Sequence, residues 1–233
     1  MKATLLRRVV AEFTGTLLLL AAVVGSGIMG ERLAGGNVAI ALLANTLATG
    51  AALIAIILAF GPISGAHLNP VVTLADALVG GIAWRETPAY IAAQVMGAFS
   101  GVAVAHTMFG LAVLSVSTHA RSGPAQAFSE FVAAFGLLAT IWGCARTRPA
   151  SVPFAVGAYI TAAYWFTAST SFANPAVTVA RSVTNTFAGV RPVDVPAFVA
   201  AQLAGALGAT LLFRWLMPRR AESLEVVEQL DAG

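Results

Sequence analysis

The 233-residue chain has a single cysteine, Cys144, and it sits inside an apolar run. One thiol builds neither a disulfide framework nor a multi-cysteine metal site, and it leaves dithiol redox chemistry nothing to work with. No cofactor or metal is expected. Charge is equally scarce: only 10% of residues are Asp, Glu, Lys or Arg, well under half of the roughly 25% usual in soluble domains. That excludes an ordinary water-soluble globular protein. The 13 basic residues against 10 acidic ones give a net charge of +3. The bases lie in short clusters between apolar runs, so their anionic neighbour is a membrane surface and not nucleic acid.

Apolar sequence is abundant, at 58% of the chain with a mean hydropathy of +0.85. Stretches free of Asp, Glu, Lys, Arg and His run over 13–30, 33–66, 87–105, 131–145, 149–180 and 195–213. A bilayer core of about 30 Å needs about 20 helical residues, so each block supplies one span. The expected helices are 5–28, 38–59, 88–108, 126–145, 152–168 and 195–217. They put Lys2, Arg7, Arg8, Arg85, Arg146, Arg148, Arg214, Arg219 and Arg220 on one side and only Arg32, Arg121, Arg181 and Arg191 on the other. This bias places both termini in the cytoplasm of a multi-pass plasma (inner) membrane protein. Trp84, Trp142 and Trp215 fall near the cytoplasmic boundary as interfacial anchors, and residues 219–233 form a polar tail. His106 and His119 read as a helix-end and a loop residue.

The chain repeats itself. Ala11-Glu12-Phe13 returns as Ser129-Glu130-Phe131, Asn69-Pro70-Val71-Val72-Thr73 as Asn174-Pro175-Ala176-Val177-Thr178, and Ala93-Gln94 as Ala201-Gln202. The repeats cover about 1–110 and 120–218 within one domain. Each holds three spans, an odd number, so the second enters the membrane from the opposite face. The blocks 33–66 and 149–180 are too long for one crossing, and both end just before an Asn-Pro pair. Asn is a favoured N-cap and Pro a favoured first helical residue, so helices should start at Asn69 and Asn174. Each has about ten residues, or roughly 15 Å, enough for half a membrane. The stretches 61–66 and 169–173 before them should be non-helical backbone, tolerated at membrane depth only inside protein or along a watery cavity. The fold class is therefore an all-α membrane protein of six transmembrane helices and two re-entrant half-helices, in an inverted 3+3 repeat.

At Ser64-Gly65-Ala66-His67-Leu68-Asn69-Pro70-Val71-Val72-Thr73 and Asn174-Pro175-Ala176-Val177 the sequence resembles the aquaporin and aquaglyceroporin family over nearly its whole length. That resemblance implies a channel and not an enzyme, assembled as a homotetramer with one pore per protomer. It implies that Asn69 and Asn174 mark the pore centre, that carbonyls around Gly65, Ala66, His67, Ser171, Phe172 and Ala173 line it, and that Glu12 and Glu130 hold the loops from behind. Two half-helix N-termini, each carrying about half a positive charge, would oppose a cation at about 5 Å by roughly 3 kcal/mol at an effective dielectric near 20. Gly97, Gly101, Gly205 and Gly208 read as close-packing positions between helices.

One departure is informative. The family usually has an Arg three residues after the second Asn, where this chain has Val177. Arg181 lies one turn further on and is not assigned the missing role. By the family's spacing the other constriction residues are Thr49, Ala162 and Ser171. A small-lined filter without a guanidinium is wide, so the resemblance points to members that pass glycerol-like polyols and neutral metalloids such as arsenite, together with water. Val71, in place of the usual Ala, adds bulk near the pore centre. The competing reading is a proton-coupled secondary transporter using Glu12 and Glu130.

Overall fold

The computed structural model describes residues 3–217, and every regular element among them is helical. The expected polar tail, with Arg219 and Arg220, and Lys2 at the other end lie outside the described residues. Eight α-helices follow in order: α1 (Leu5–Leu33), α2 (Val38–Ser64), α3 (Pro70–Leu78), α4 (Thr87–Met108), α5 (Pro124–Ala145), α6 (Val152–Phe166), α7 (Pro175–Ala180) and α8 (Val195–Leu216). Their starts follow from local chemistry. Thr4 and Asn37 cap α1 and α2 by accepting backbone N–H groups with their side chains. Every helix from α3 to α8 has a proline in its first turn, where the missing N–H has no intrahelical partner to lose.

Among the described residues, α1, α2, α4, α5 and the segment Pro192–Leu216 are long and apolar enough to cross a membrane. Helix α6 has 15 residues and is shorter than the expected 152–168. It stops at Phe166 because Thr167 turns extended (φ −107°, ψ 140°) to start the loop that leads to α7. Helix α2, in contrast, outruns its expected end. It continues through Gly61 and Pro62 to Ser64, so the non-helical backbone begins at Gly65 and not at Gly61. Pro62 forfeits one bond of the last turns, but Gly65 closes the helix by donating to Gly61 O at 2.9 Å and takes up φ +90°. Helix α7 is also shorter than expected, with six residues and a 3-10 turn over Arg181–Val183.

Helix α1 packs on α2 and α4, α5 on α8, and α2 on α6. Added Cβ atoms would fall 2.4 Å from Phe13 O at Gly97, 2.3 Å from Leu17 O at Gly101 and 2.3 Å from Phe131 O at Gly205. Backbone therefore meets backbone at these three positions. Gly208 does not belong with them, since its nearest neighbour would be the Phe135 ring at an ordinary 3.5 Å. A further glycine pair, Gly50 and Gly157, joins α2 to α6, with a Cβ on Gly157 only 2.8 Å from Gly50 O.

Candidate pore

Between α2 and α3, and again between α6 and α7, the chain enters the bundle without regular structure. Left-handed backbone recurs there at residues other than glycine: Ala66, Leu68, Thr170, Ser171 and Ala173 have φ between 46° and 61°. Such conformations cost on the order of 1 kcal/mol each and persist only where the surroundings impose them. Two buried carboxylates do so. Glu12 Oε1 accepts from Ser64 Oγ at 2.7 Å and His67 N at 2.9 Å, and Oε2 accepts from Leu68 N at 2.7 Å and Gln94 Nε2 at 2.8 Å. Glu130 repeats the pattern with Ser169 Oγ at 2.6 Å, Phe172 N at 2.8 Å, Ala173 N at 2.8 Å and Gln202 Nε2 at 2.6 Å. The same two glutamines also donate to Thr73 and Thr178 on the half-helices.

The half-helices α3 and α7 meet at their N-termini. Asn69 Oδ1 caps its own helix at Val71 N, while its Nδ2 crosses to Ala173 O at 2.8 Å. Asn174 caps Ala176 N and Val177 N and crosses to Leu68 O at 2.8 Å. An amide nitrogen carries two hydrogens, so each Asn keeps one donor beyond these bonds.

A cavity of about 250 Å³ passes this junction, lined from Ala145 and Val152 at one end to Arg181 at the other. Asn69, Asn174, Gly65, Ala66, His67, Phe172, Ala173, Thr49, Ser171 and Val177 all lie on its wall. Ala162 does not. It is exposed on the outer face of α6, and Tyr164, two residues and about 200° of helix further on, takes the wall position. The Tyr164 hydroxyl lies 3.4 Å from Thr49 Oγ1, joining α6 to α2 at the cavity wall. Glu12 and Glu130 are off the wall, fully buried behind the loops. At the first end His67 Nδ1 is 3.2 Å from Thr73 Oγ1, and Nε2 is 3.7 Å from the carboxylate of Asp76, another wall residue. Trp84 and Trp215 are exposed, but Trp142 turns inward to line the cavity, donating to Thr210 Oγ1 at 3.2 Å.

Arg181, to which the sequence assigns no filter role, stands on the cavity wall. Its position four residues after Val177 puts it on the same helix face and brings it to the cavity wall, where it is only 2% exposed. That spacing was the available signal. Its guanidinium lies 3.4 Å from the centroid of the Phe172 ring, and its Nε donates to Ala188 O. Arg121, on the opposite connection, was also unassigned. It donates to Gly189 O at 2.9 Å and Ser169 O at 3.1 Å, pinning the second loop from outside the cavity.

Comparison with known proteins decides what this passage belongs to. The chain matches the family described as Major intrinsic protein over residues 1–167 and 146–232. It belongs to the major intrinsic protein family. The chain is 58% identical over 213 residues, 91% of each protein, to Aquaglyceroporin AqpS of Rhizobium meliloti (strain 1021). It is 37% identical over 136 residues to Aquaporin NIP6-1 of Arabidopsis thaliana, a match covering 58% of this chain and 44% of the plant protein. An X-ray structure of the aquaglyceroporin from Plasmodium falciparum shares the fold, with a TM-score of 0.72 over 92% of this chain and 98% of that one at 20% identity. As a major intrinsic protein, this chain is a membrane channel and not an enzyme.

Proposed function

We propose that each protomer forms a passive pore for small uncharged solutes bearing hydroxyl groups, glycerol-like polyols and neutral arsenite among them, together with water. The observation that carries this reading is the reciprocal Asn69 and Asn174 junction beside a continuous cavity. One remaining donor on each Asn, with two helix N-termini behind them, favours solutes that accept hydrogen bonds and disfavours cations. Carbonyls of Gly65, Ala66, His67, Phe172 and Ala173 supply the acceptors. Thr49, Ser171, Tyr164 and Val177 lie on the cavity wall, where a valine in place of the family's usual Arg leaves room for a polyol. The name of the 58% identical relative, an aquaglyceroporin, agrees with a polyol as solute.

The proton-coupled reading finds no support in the geometry. Both carboxylates have four donors each and stand off the cavity wall, which suits a brace better than a relay. We read the chain as two inverted halves in one domain, placed in the plasma membrane with both termini cytoplasmic. Among the described residues Arg7, Arg8, Arg85, Arg146, Arg148 and Arg214 lie towards that side and Arg32, Arg121, Arg181 and Arg191 towards the other. Apolar outer residues such as Leu43, Leu47 and Leu211 are exposed and would face lipid or the other protomers of a homotetramer. Light-scattering of proteoliposomes under an inward glycerol gradient tests the reading. Shrinkage followed by protein-dependent re-swelling is expected, and re-swelling no faster than in empty vesicles contradicts it.

A further inference from the structure

The two half-helices carry opposite charges at matched places on the cavity wall. Asp76 lies seven residues after Asn69, and Arg181 seven residues after Asn174. Their surroundings differ. Asp76 has His67 beside it, whereas no carboxylate lies within 4.0 Å of Arg181 among the described residues. The Arg181 side chain makes one hydrogen bond, from Nε to Ala188 O, so its two terminal nitrogens have no acceptor among the described residues. Neither is among the buried atoms sealed off without a partner, so both reach the open cavity. An unpaired, 2% exposed guanidinium is expensive to keep in an apolar bundle, and such groups in membrane proteins mark the solute path.

We propose that Arg181 is the charge filter of this pore, repelling cations at the end opposite His67 while its free N–H groups receive the oxygens of neutral solutes. This rests on the reading of the cavity as a neutral-solute channel. Phe172 fixes the guanidinium by stacking, and the Ala188 carbonyl fixes its angle. Arg121 also approaches this ring, at 5.1 Å, but it lies off the cavity wall and donates to Gly189 O and Ser169 O, so it does not take this role. Width and charge are thereby separated along the helix: Val177 leaves the passage open, and Arg181 supplies the positive potential one turn further on.

Urea and guanidinium provide the test, since they match in size and shape and differ in charge. The quantity to read is the guanidinium-to-urea flux ratio in proteoliposomes of the full chain. Arg181→Gln should raise that ratio about tenfold or more, because a unit charge a few ångströms from the path dominates cation entry at low effective dielectric. Arg181→Lys, which keeps the charge, should stay within about threefold of wild type. Arg181→Leu gives the same reading as the glutamine variant if that variant fails to insert. An unchanged ratio in the uncharged variants, or a lysine variant as leaky as they are, overturns the proposal. A wild-type protein that passes neither urea nor glycerol overturns the channel reading itself, which is a different result.

Discussion

Asn69 and Asn174 each donate to the carbonyl directly before the other: Asn69 Nδ2 to Ala173 O and Asn174 Nδ2 to Leu68 O, both at 2.8 Å. Each side chain thus starts its own half-helix and fastens the opposite loop. Asn69→Asp separates these duties, because aspartate keeps the cap but has no N–H to give. A buried carbonyl left without its donor costs about 1–3 kcal/mol, and a carboxylate beside it weakens the barrier to cations. Glycerol flux per inserted protein should fall about tenfold, with a matching loss in Asn174→Asp. Flux equal to wild type in either variant would contradict the reciprocal lock.

Glu130→Gln tests whether the buried acids are braces. A glutamine amide has one oxygen where the carboxylate used two, so its NH2 group faces donors such as Ala173 N and Gln202 Nε2. Two donors left unsatisfied predict destabilisation of about 3 kcal/mol, visible as a lower unfolding temperature in detergent. Glu12→Gln should behave alike, since His67 N and Leu68 N depend on it in the same way. A variant of normal stability whose transport merely loses its response to a proton gradient would favour the coupled transporter.

At the filter, Ala162 and Tyr164 separate the sequence register from the structural one. Ala162→Leu adds bulk to an exposed outer face and should leave glycerol permeability within about twofold of wild type, given that surface substitutions act weakly. Tyr164→Ala removes the ring and the hydroxyl 3.4 Å from Thr49, so it should raise the flux of solutes larger than glycerol, measured with a graded polyol series. The reverse pattern would return Ala162 to the wall.

Glycine substitutions probe the helix contacts. Gly97→Ala and Gly205→Ala drive a methyl group to 2.4 Å and 2.3 Å from backbone oxygens that side-chain motion cannot clear, and should cost about 1–3 kcal/mol each. Gly208→Ala meets only the Phe135 ring at 3.5 Å and should be close to neutral. Thermal unfolding of the three variants in one detergent decides the order.

Most of the fold was legible because it follows from strong local rules. Over-long apolar blocks, paired Asn-Pro starts and prolines in first turns each constrain the backbone directly. The ends that were misread were set by tertiary contacts. Helix α2 runs past Pro62 to Ser64, whose hydroxyl is held by Glu12, and α6 stops at Thr167 to let the second loop reach Glu130. The site was less legible for the same reason. Gln94 and Gln202 were visible as repeated residues, but their role depends on meeting a carboxylate from another helix. Tyr164 displaced Ala162 because spacing counted across a loop carries no helical phase. Arg181 was reachable from its i, i+4 relation to Val177, yet its free donors emerge only once the cavity is drawn around it.

Val177→Arg narrows the passage beside Ser171 and adds a second guanidinium near Arg181. Stopped-flow measurements should show glycerol and arsenite flux reduced about tenfold or more while water flux is largely kept, since water alone fits the smaller aperture. Equal loss of all three, or no change, would mean that the width is set elsewhere.

The most direct measurement of the central claim is the initial rate of glycerol entry into proteoliposomes against the height of the gradient, with and without imposed proton and sodium gradients. A passive pore predicts a rate proportional to the glycerol gradient over the accessible range and indifferent to either ion gradient. A rate that saturates with counterflow, or one that responds to an ion gradient, would contradict the account.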